Sequence, residues 1–263
     1  NALLEAHYQP PISAERALAE ATAAPQWTHY GASAGGDSYS AADQITRANV
    51  ANLELAWSFH TEEDAETSNT FQATPIEFDG DLIFCSPSNR VFSLNGDTGE
   101  QNWTYDPQVN RNKVPFFVCR GLALHSTIKQ ADFLSSSNAE LSQLANSACA
   151  DRLLMGTVDD RLLALDAKTG ALCPEFGNAG EVDLSIGLGD VMPGHHFVSS
   201  PPAIIGNIAI VGAFIMDNQS THQPPGVVRA YNVYTGELAW AWDVLSPKAH
   251  PPLKEGETYP LNT

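Results

Sequence analysis

Asp217 and Asn218 form an adjacent pair of side chains that could hold a metal ion. A carboxylate next to an amide oxygen offers the oxygen ligands that a hard cation prefers. The same pair is common in ordinary loops, where an Asx side chain shapes a turn by hydrogen bonding to nearby backbone. The residues alone therefore leave two interpretations open, a cation site and a loop turn.

Arg120 and His125 lie in the stretch VCRGLALH, residues 118–125. A planar guanidinium can bind a carboxylate through two parallel hydrogen bonds, and Gly121 beside it permits a close backbone approach. A histidine titrates near neutral pH and can orient a hydroxyl or a cofactor oxygen. The alternatives are a surface arginine in a salt bridge and a packed, hydrogen-bonded strand histidine.

The elements that must position these residues follow a repeat, in which a short alternating strand leads to a polar turn ending in Thr-Gly and then to another strand. The three copies are RVFSLNGDTGEQNWTYD (90–106), RLLALDAKTGALCPEFG (161–177) and VRAYNVYTGELAWAWD (228–243). A tryptophan follows the glycine by four residues in two copies, at Trp103 and Trp240, and Phe176 approximates it in the third. Strand-built repeats on this scale indicate the blades of a β-propeller.

Alternating apolar segments around the repeat predict three units of strands and turns. The predicted strands are 73–78, 82–85, 90–94 and 101–105 in the first unit, 116–124, 152–158 and 162–165 in the second, and 198–205, 209–214, 227–233 and 238–242 in the third. A leading strand is expected to end near Trp57. Because closed propellers have about 4–8 blades, we expect these three to belong to a larger ring.

Three regions are predicted along the chain. Residues 1–25 form an N-terminal extension with a short helix over 13–24, which Pro25 ends. Residues 26–243 form the partial propeller, and residues 244–263 form a Pro-rich loop that leads to the blades outside this sequence.

Charge and cysteine content limit the partners and the compartment. The net charge of −18 argues against nucleic acid or anionic lipid as a partner, since both need a basic surface. The four cysteines, Cys85, Cys119, Cys149 and Cys173, lack the spacing of a zinc site. Their even number predicts two disulfides in an oxidising compartment, with three possible connectivities. Four reduced, buried thiols are the alternative.

The stretch 26–243 resembles the quinoprotein dehydrogenases that use pyrroloquinoline quinone (PQQ), and most of all their membrane-bound glucose/quinate/shikimate dehydrogenase branch. The matching phrases are WTHYG-x-SAGG-x-x-YS (27–40), NLELAW (52–57), ATPIEF (73–78), VCRGLALH (118–125), SSPP (199–202) and MDN-x-ST (216–221). All four cysteines fall where that branch has cysteines. The resemblance implies an all-β, eight-bladed propeller, of which this chain covers about three blades, the leading strand and the short N-terminal helix.

The resemblance also implies roles for individual residues. PQQ would lie at the centre of the propeller with Ca²⁺ or Mg²⁺ beside it, and Asp217 and Asn218 match the metal position. Arg120 and Ser199 match residues that bind PQQ carboxylates. Gln72 matches a Glu or Gln at the polar edge of the quinone. His125 matches a histidine that lines the active site.

These matches predict PQQ-dependent oxidation of a sugar or cyclic polyol of the glucose, quinate or shikimate type, with electrons passed to ubiquinone. The expected location is the periplasm, at the inner membrane, and the expected partners are the remaining blades of the same protein. The catalytic Asp of the family lies in no matching segment, so this chain alone is expected to be inactive. The alternative is a non-enzymatic β-propeller scaffold or interaction protein of the bacterial envelope.

Overall fold

Three antiparallel sheets of four strands each make up most of the regular structure. The structure is a computed structural model, and it describes residues 27–33, 35–63, 71–110, 117–127, 147–216 and 224–243. Within each sheet the strands lie side by side in sequence order. We call the sheets blades 1, 2 and 3. The prediction of an all-β propeller fold with three blades among the described residues is confirmed, and the second blade has a fourth strand that the sequence analysis did not identify.

Blade 1 begins with a tight hairpin. Its strands are β1 (Ile76–Phe78), β2 (Asp81–Cys85), β3 (Val91–Asn95) and β4 (Gln101–Tyr105). Asp79 and Gly80 connect β1 to β2 and have φ angles of 52° and 85°, which suits a two-residue hairpin turn. The predicted start of β1 at Ala73 is wrong, because the N–H of Thr74 donates to the carbonyl of Arg120 in blade 2 instead of to a ladder partner.

The first strand of blade 2 begins later than the sequence predicts. Its strands are β5 (Ala123–Ser126), β6 (Asp151–Gly156), β7 (Arg161–Asp166) and β8 (Glu181–Asp183). The predicted strand over 116–124 is wrong for the described residues 117–122. The N–H of Arg120 there donates to the carbonyl of Ser199 in the segment leading to blade 3 and not to β6.

Blade 3 differs from the others in the connection between its second and third strands. Its strands are β10 (Ala203–Ile205), β11 (Ile208–Val211), β13 (Val227–Asn232) and β14 (Leu238–Asp243), and a separate ladder pairs β9 (His196–Phe197) with β12 (Phe214–Ile215). The predicted strand 198–205 starts only at Ala203, since Pro201 and Pro202 have no N–H for a ladder. The predicted strand 209–214 is split between β11 and β12.

The predicted leading strand near Trp57 is absent. Residues 53–63 pair with no strand among the described residues, and a short 3-10 turn, Val50–Asn52, precedes them. The segment is held by side chains instead. The Trp57 indole N–H donates to the carbonyl of Gly96 at 3.0 Å, and Phe59 packs edge-on against Phe92 at 5.5 Å between ring centroids.

The core lies between the faces of neighbouring blades. In β6, Leu153 and Met155 are buried in the cluster shared with blade 1, whereas Leu154 is buried in the cluster shared with blade 3. Adjacent side chains of a strand point to opposite faces, so one strand serves two interfaces. This explains why every residue of β6 is buried.

Two disulfides are present, as predicted, and the structure selects one of the three connectivities. Cys85 at the end of β2 bonds to Cys119, and Cys149 bonds to Cys173. The first therefore joins blade 1 to the segment entering blade 2.

Each Thr-Gly turn is built in the same way. Asn95, Asp166 and Asn232 each accept hydrogen bonds at the side-chain oxygen from the two N–H groups that precede the glycine. The glycines, Gly99, Gly170 and Gly236, have φ angles of 72°, 71° and 69°. This left-handed conformation favours glycine.

A tryptophan from the preceding part of the chain packs directly on two of these glycines. A Cβ at Gly99 would lie 2.5 Å from the ring of Trp57, and one at Gly170 would lie 2.4 Å from the ring of Trp103. Trp103 belongs to β4 of blade 1 and Gly170 to the turn of blade 2. The tryptophan of one blade therefore docks on the turn of the next.

The third turn uses backbone instead of an aromatic ring. The N–H of Gly177 donates to the carbonyl of Thr235 at 2.9 Å, and a Cβ at Gly236 would lie 2.7 Å from the nitrogen of Gly177. Phe176, which the repeat places at the tryptophan position, is fully buried in the core between blades 2 and 3. The residue after it makes the docking contact.

The predicted helix over 13–24, the extension 1–25 and the loop 244–263 lie outside the described residues. Among the residues that the structure describes, no helix is long and apolar enough to cross a membrane.

We predict that Gly170→Ala destabilises the protein by about 2–4 kcal/mol, because the methyl group must occupy the space of the Trp103 ring in a left-handed backbone. Chemical denaturation measures the loss. Gly80→Ala is the matched control, since Gly80 also has positive φ but nothing within 4 Å of an added Cβ. Equal losses in the two variants would contradict the docking role of Trp103.

Candidate cofactor-binding site

The segments that enter the first strands of the three blades meet at one point. These first strands, β1, β5 and β10, are called the inner strands. The N–H of Thr74 in blade 1 donates to the carbonyl of Arg120 at 3.1 Å, and the N–H of Arg120 donates to the carbonyl of Ser199 at 2.9 Å. Gln72 lies two residues before Thr74. The structure thus bonds the backbones of two predicted site residues, Arg120 and Ser199, to each other and places Gln72 two residues from the same junction.

Gly121 allows this close approach. Its φ is +155°, and a Cβ at this position would lie 3.3 Å from the Tyr30 ring, 3.6 Å from the carbonyl oxygen of Thr74 and 3.7 Å from Pro201. A side chain is both crowded and strained in such a conformation. Gly121 therefore lets the CRG segment pass close to the backbone of Thr74 and to Pro201 before strand β5 begins.

The three side chains at this junction face out of the core. Arg120 and Gln72 are exposed and Ser199 is half-buried. Among the described residues, no carboxylate forms a salt bridge with Arg120. The junction thus offers a guanidinium, an amide and a hydroxyl, which are suitable donors for a ligand that carries several carboxylates.

His125 lies at the other end of the inner strand. It pairs with Arg152 in the β5–β6 ladder, near the Thr-Gly end of the blade, while Arg120 precedes the opposite end. Its side chain is buried, its Nε2 lies 3.4 Å from the Asn207 oxygen, and its ring meets Tyr234 edge-on at 5.3 Å. The structure does not bring His125 together with Arg120 and Ser199.

Asp217 and Asn218, the predicted metal ligands, lie outside the described residues. The described chain reaches Met216, whose N–H donates to the carbonyl of His195 at 3.1 Å. Strand β12 ends one residue earlier and pairs with β9. The segment that leads to Asp217 is therefore held beside β9. Strand β9 begins at His196, three residues before Ser199.

Two positions that the sequence analysis missed join the blades on the same side as Arg120. They lie in the turns between the second and third strands, SPSNR (86–90) and TVDDR (157–161). Asn89 is fully buried, accepts from the N–H of Val158 at 2.8 Å and donates to the carbonyl of Val118 at 3.2 Å. Aligning the two turns by their arginines would have revealed that Asn89 and Asp160 are equivalent.

Asp160 makes the corresponding contact to the next unit. Its carboxylate is 2.6 Å from Nδ1 of His196, and its carbonyl accepts from the N–H of Leu184 at 2.8 Å. Asn89 and Asp160 have φ angles of 66° and 67°, which Asn and Asp tolerate better than other side chains. A polar residue in a left-handed turn thus reaches across each of these interfaces.

The arginines of the two turns are paired with buried carboxylates. Arg90 bonds to Glu63 at 2.9 Å, and Arg161 bonds to Asp159 at 3.1 Å. Burial alone would raise the pKa of Asp159, but hydrogen bonds from Thr157, Arg161 and the N–H of Asn110, together with the arginine charge, outweigh it. They hold the pKa of Asp159 below its ordinary value.

The same balance applies to Glu63. Burial opposes its ionised form, while hydrogen bonds from Ser86, Ser88 and Arg90 and the arginine charge favour it, so that its pKa is lowered. These carboxylates fix the turns on the side of the blades that carries Arg120.

We predict that the protein loses stability as the pH falls below about 4. A carboxyl group whose pKa is lowered in the folded state stabilises the fold fully above its unfolded pKa, near 3.9, and loses that contribution as the pH falls through the folded value. Asp159→Asn should reduce the dependence of unfolding free energy on pH in this range, whereas Asp97→Asn, at an exposed turn position, should not. Chemical denaturation at several pH values between 7 and 3 gives the unfolding free energy as a function of pH. The same pH dependence in the unsubstituted protein, Asp159→Asn and Asp97→Asn would refute the role of Asp159.

Comparison with known proteins supports one family. Residues 27–263 match the family described as "PQQ: Glucose/ethanol/alcohol dehydrogenase, beta-propeller domain". Quinate/shikimate dehydrogenase (quinone) from Acinetobacter baylyi is 38% identical over 89% of this chain and 29% of its own length. Quinoprotein glucose dehydrogenase from Gluconobacter oxydans is 36% identical over 85% of this chain and 28% of its own length.

A solved structure has the same fold. The crystal structure of quinohemoprotein alcohol dehydrogenase from Comamonas testosteroni aligns with a TM-score of 0.63 and 26% identity, over 89% of this chain and 29% of that one. This chain therefore spans less than a third of the length of each of these three proteins.

Proposed function

The chain belongs to the glucose/ethanol/alcohol dehydrogenase β-propeller family of PQQ proteins, and on that premise we propose that it forms part of a PQQ-dependent dehydrogenase. The substrate would be a sugar or cyclic polyol whose CH–OH group is oxidised. The observation that carries the proposal is the junction of Thr74, Arg120 and Ser199. The segments entering the three blades there present a guanidinium, an amide and a hydroxyl at the point where the first strands begin.

The residues at the junction fit the cofactor. PQQ has three carboxylates, and the exposed Arg120 guanidinium can bind one of them through two hydrogen bonds. The hydroxyl of Ser199 can donate to another carboxylate, and the amide of Gln72 can bond to the polar edge of the ring system. When bound, PQQ supplies a quinone that accepts two electrons and the hydrogen of the substrate carbon.

Binding by Arg120 is preorganised. Its backbone N–H and carbonyl are both used in bonds to neighbouring blades, and the Cys85–Cys119 disulfide fixes the preceding residue. A guanidinium on such a fixed backbone gives up less conformational freedom on binding than one on an open loop. This supports a role in holding an anionic cofactor in one orientation.

Further parts of the proposal rest on the resemblance. Asp217 and Asn218 would hold Ca²⁺ or Mg²⁺ beside the cofactor, and ubiquinone would accept the electrons. The Acinetobacter relative carries "(quinone)" in its name, which supports a quinone acceptor. The resemblance gives His125 a place lining the substrate site. Because His125 packs against Tyr234 at the far end of β5, we propose instead that it acts only indirectly, through the packing of that strand.

We propose a periplasmic location at the inner membrane. Two disulfides occur among the described residues, and structural disulfides persist in oxidising compartments such as the bacterial periplasm. The remaining blades of the propeller would be the immediate partners of this chain.

The role of Arg120 can be tested in the full-length protein. We predict that Arg120→Gln weakens PQQ binding about 10- to 100-fold, as expected when a charge-assisted hydrogen-bond pair is lost. Titration of the apo-protein with PQQ, followed by absorbance, gives the Kd. Arg47→Gln is the matched control, because Arg47 is also exposed but does not belong to the junction.

Unchanged affinity in Arg120→Gln would overturn the assignment. The enzyme itself is tested by adding PQQ and Ca²⁺ to the full-length protein and measuring dye reduction with glucose, quinate and shikimate. Reduction with at least one substrate supports the proposal. No reduction with any of them, together with no PQQ binding, would favour a non-enzymatic scaffold.

A further inference from the structure

An open cleft of about 540 Å³ lies beside the segment that leads to Ser199. It is lined by Asp160, Ser185 and His196 and by the loop 189–194, and we call it the His196 cleft. Its volume is within the range of small-molecule sites. Ser199 follows His196 by three residues, so at most about 10 Å of chain separates the cleft from the junction.

The cleft and the junction lie on the same side of blade 2. The N–H of Leu184 donates to the carbonyl of Asp160, and the N–H of Val198 donates to the carbonyl of Thr157. Both acceptors belong to the β6–β7 turn. This turn lies at the end of blade 2 where Arg120 precedes β5, so a molecule near Arg120 has this cleft at its flank.

A buried histidine–carboxylate pair forms one wall of the cleft. His196 Nδ1 lies 2.6 Å from Asp160 Oδ1, and both residues are more than nine-tenths buried. The contact to Asp160 uses Nδ1 and leaves the other ring nitrogen, Nε2, for a further hydrogen bond. A hydroxyl group can both donate and accept a hydrogen bond, so it suits Nε2 in either role.

The rest of the lining is mixed, with Ser185 and Asp190 as polar side chains and Val191, Met192 and Pro193 as apolar ones. Asp190 is exposed and Ser185 is half-buried, while Met192 is 49% exposed. Among the described residues that line the cleft, none is a lysine or an arginine. Because Asp160 is already paired with His196, Asp190 is the carboxylate of the lining that would repel a carboxylate ligand and accept hydrogen bonds from hydroxyls.

We propose that the His196 cleft binds hydroxyl groups of a neutral sugar or polyol, with His196 and Asp190 as specificity-determining residues that disfavour hydroxy acids such as quinate. This inference rests on the proposed function for its place beside the active site. The hydroxyl recognition itself depends only on the lining of the cleft.

Calorimetric titration of the full-length protein without added PQQ, with glucose and glycerol as probes, tests the cleft directly. His196→Phe retains an aromatic ring but cannot hydrogen-bond, and it is expected to weaken binding at least tenfold. His196→Asn retains a donor for Asp160, so it separates loss of binding from loss of folding. The proposal would be overturned if the unsubstituted protein bound neither probe. It would also be overturned if both variants, His196→Asn and His196→Phe, bound the probes as tightly as the unsubstituted protein.

Substrate preference in the PQQ-loaded protein gives a second readout. Asp190→Asn removes the repulsion of a carboxylate and should raise kcat/KM for quinate relative to glucose by roughly three- to tenfold, while the Kd for PQQ stays constant. Asp97→Asn is the control, since Asp97 is an exposed aspartate at the Thr-Gly end of blade 1. An unchanged ratio in Asp190→Asn would contradict the charge argument.

The two proposals fail in different ways. If the unsubstituted protein oxidises no polyol, the proposed function fails, while calorimetry still decides whether the cleft binds hydroxyl compounds. If it oxidises a polyol but the His196 variants bind glucose as tightly as the unsubstituted protein, only the cleft is wrong.

Discussion

Contact between neighbouring blades is the constraint on which the rest of this structure depends. A four-stranded sheet has two faces, and β6 buries apolar side chains on both of them, so no blade can be stable without its neighbours. Each interface is closed at three levels. A tryptophan or a backbone N–H packs on a left-handed glycine at one end, apolar side chains fill the middle, and Asn89 or Asp160 crosses at the other end.

Backbone hydrogen bonds between neighbouring blades explain where the candidate site lies. Backbone groups at the inner ends of the blades cannot all form ladder bonds, because Thr74 and Arg120 are bonded to neighbouring blades. Buried backbone groups must be paired, and here they are paired between blades. The side chains attached to this fixed backbone are then free to face a ligand. The backbone atoms of these residues thus hold the blades together, while their side chains are available for a ligand.

Local pattern was sufficient to predict the blades. Strand alternation and the Thr-Gly turns located most of the strands, and the even number of cysteines predicted two disulfides. The errors occurred where tertiary contacts replace ladder bonds, at Ala73, at residues 117–122 and around Trp57. The docking role of Gly177 in place of Phe176 was also hidden, because the repeat shows which residue is equivalent but not which atom makes the contact.

The site was predictable only in part, and the reason is geometric. Spacing along the chain does not show that Arg120 and Ser199 share a hydrogen bond, since the residues between them form a whole blade. The resemblance placed His125 in the active site together with Arg120, yet strand β5 separates them to opposite ends of the blade. His196 shows the reverse effect. No motif singles out His196 in the sequence, but the pairing of β9 with β12 and the bond to Asp160 place it in the wall of a cleft beside the junction. The position of a side chain relative to the ends of its blade therefore decides its role more than its distance along the sequence.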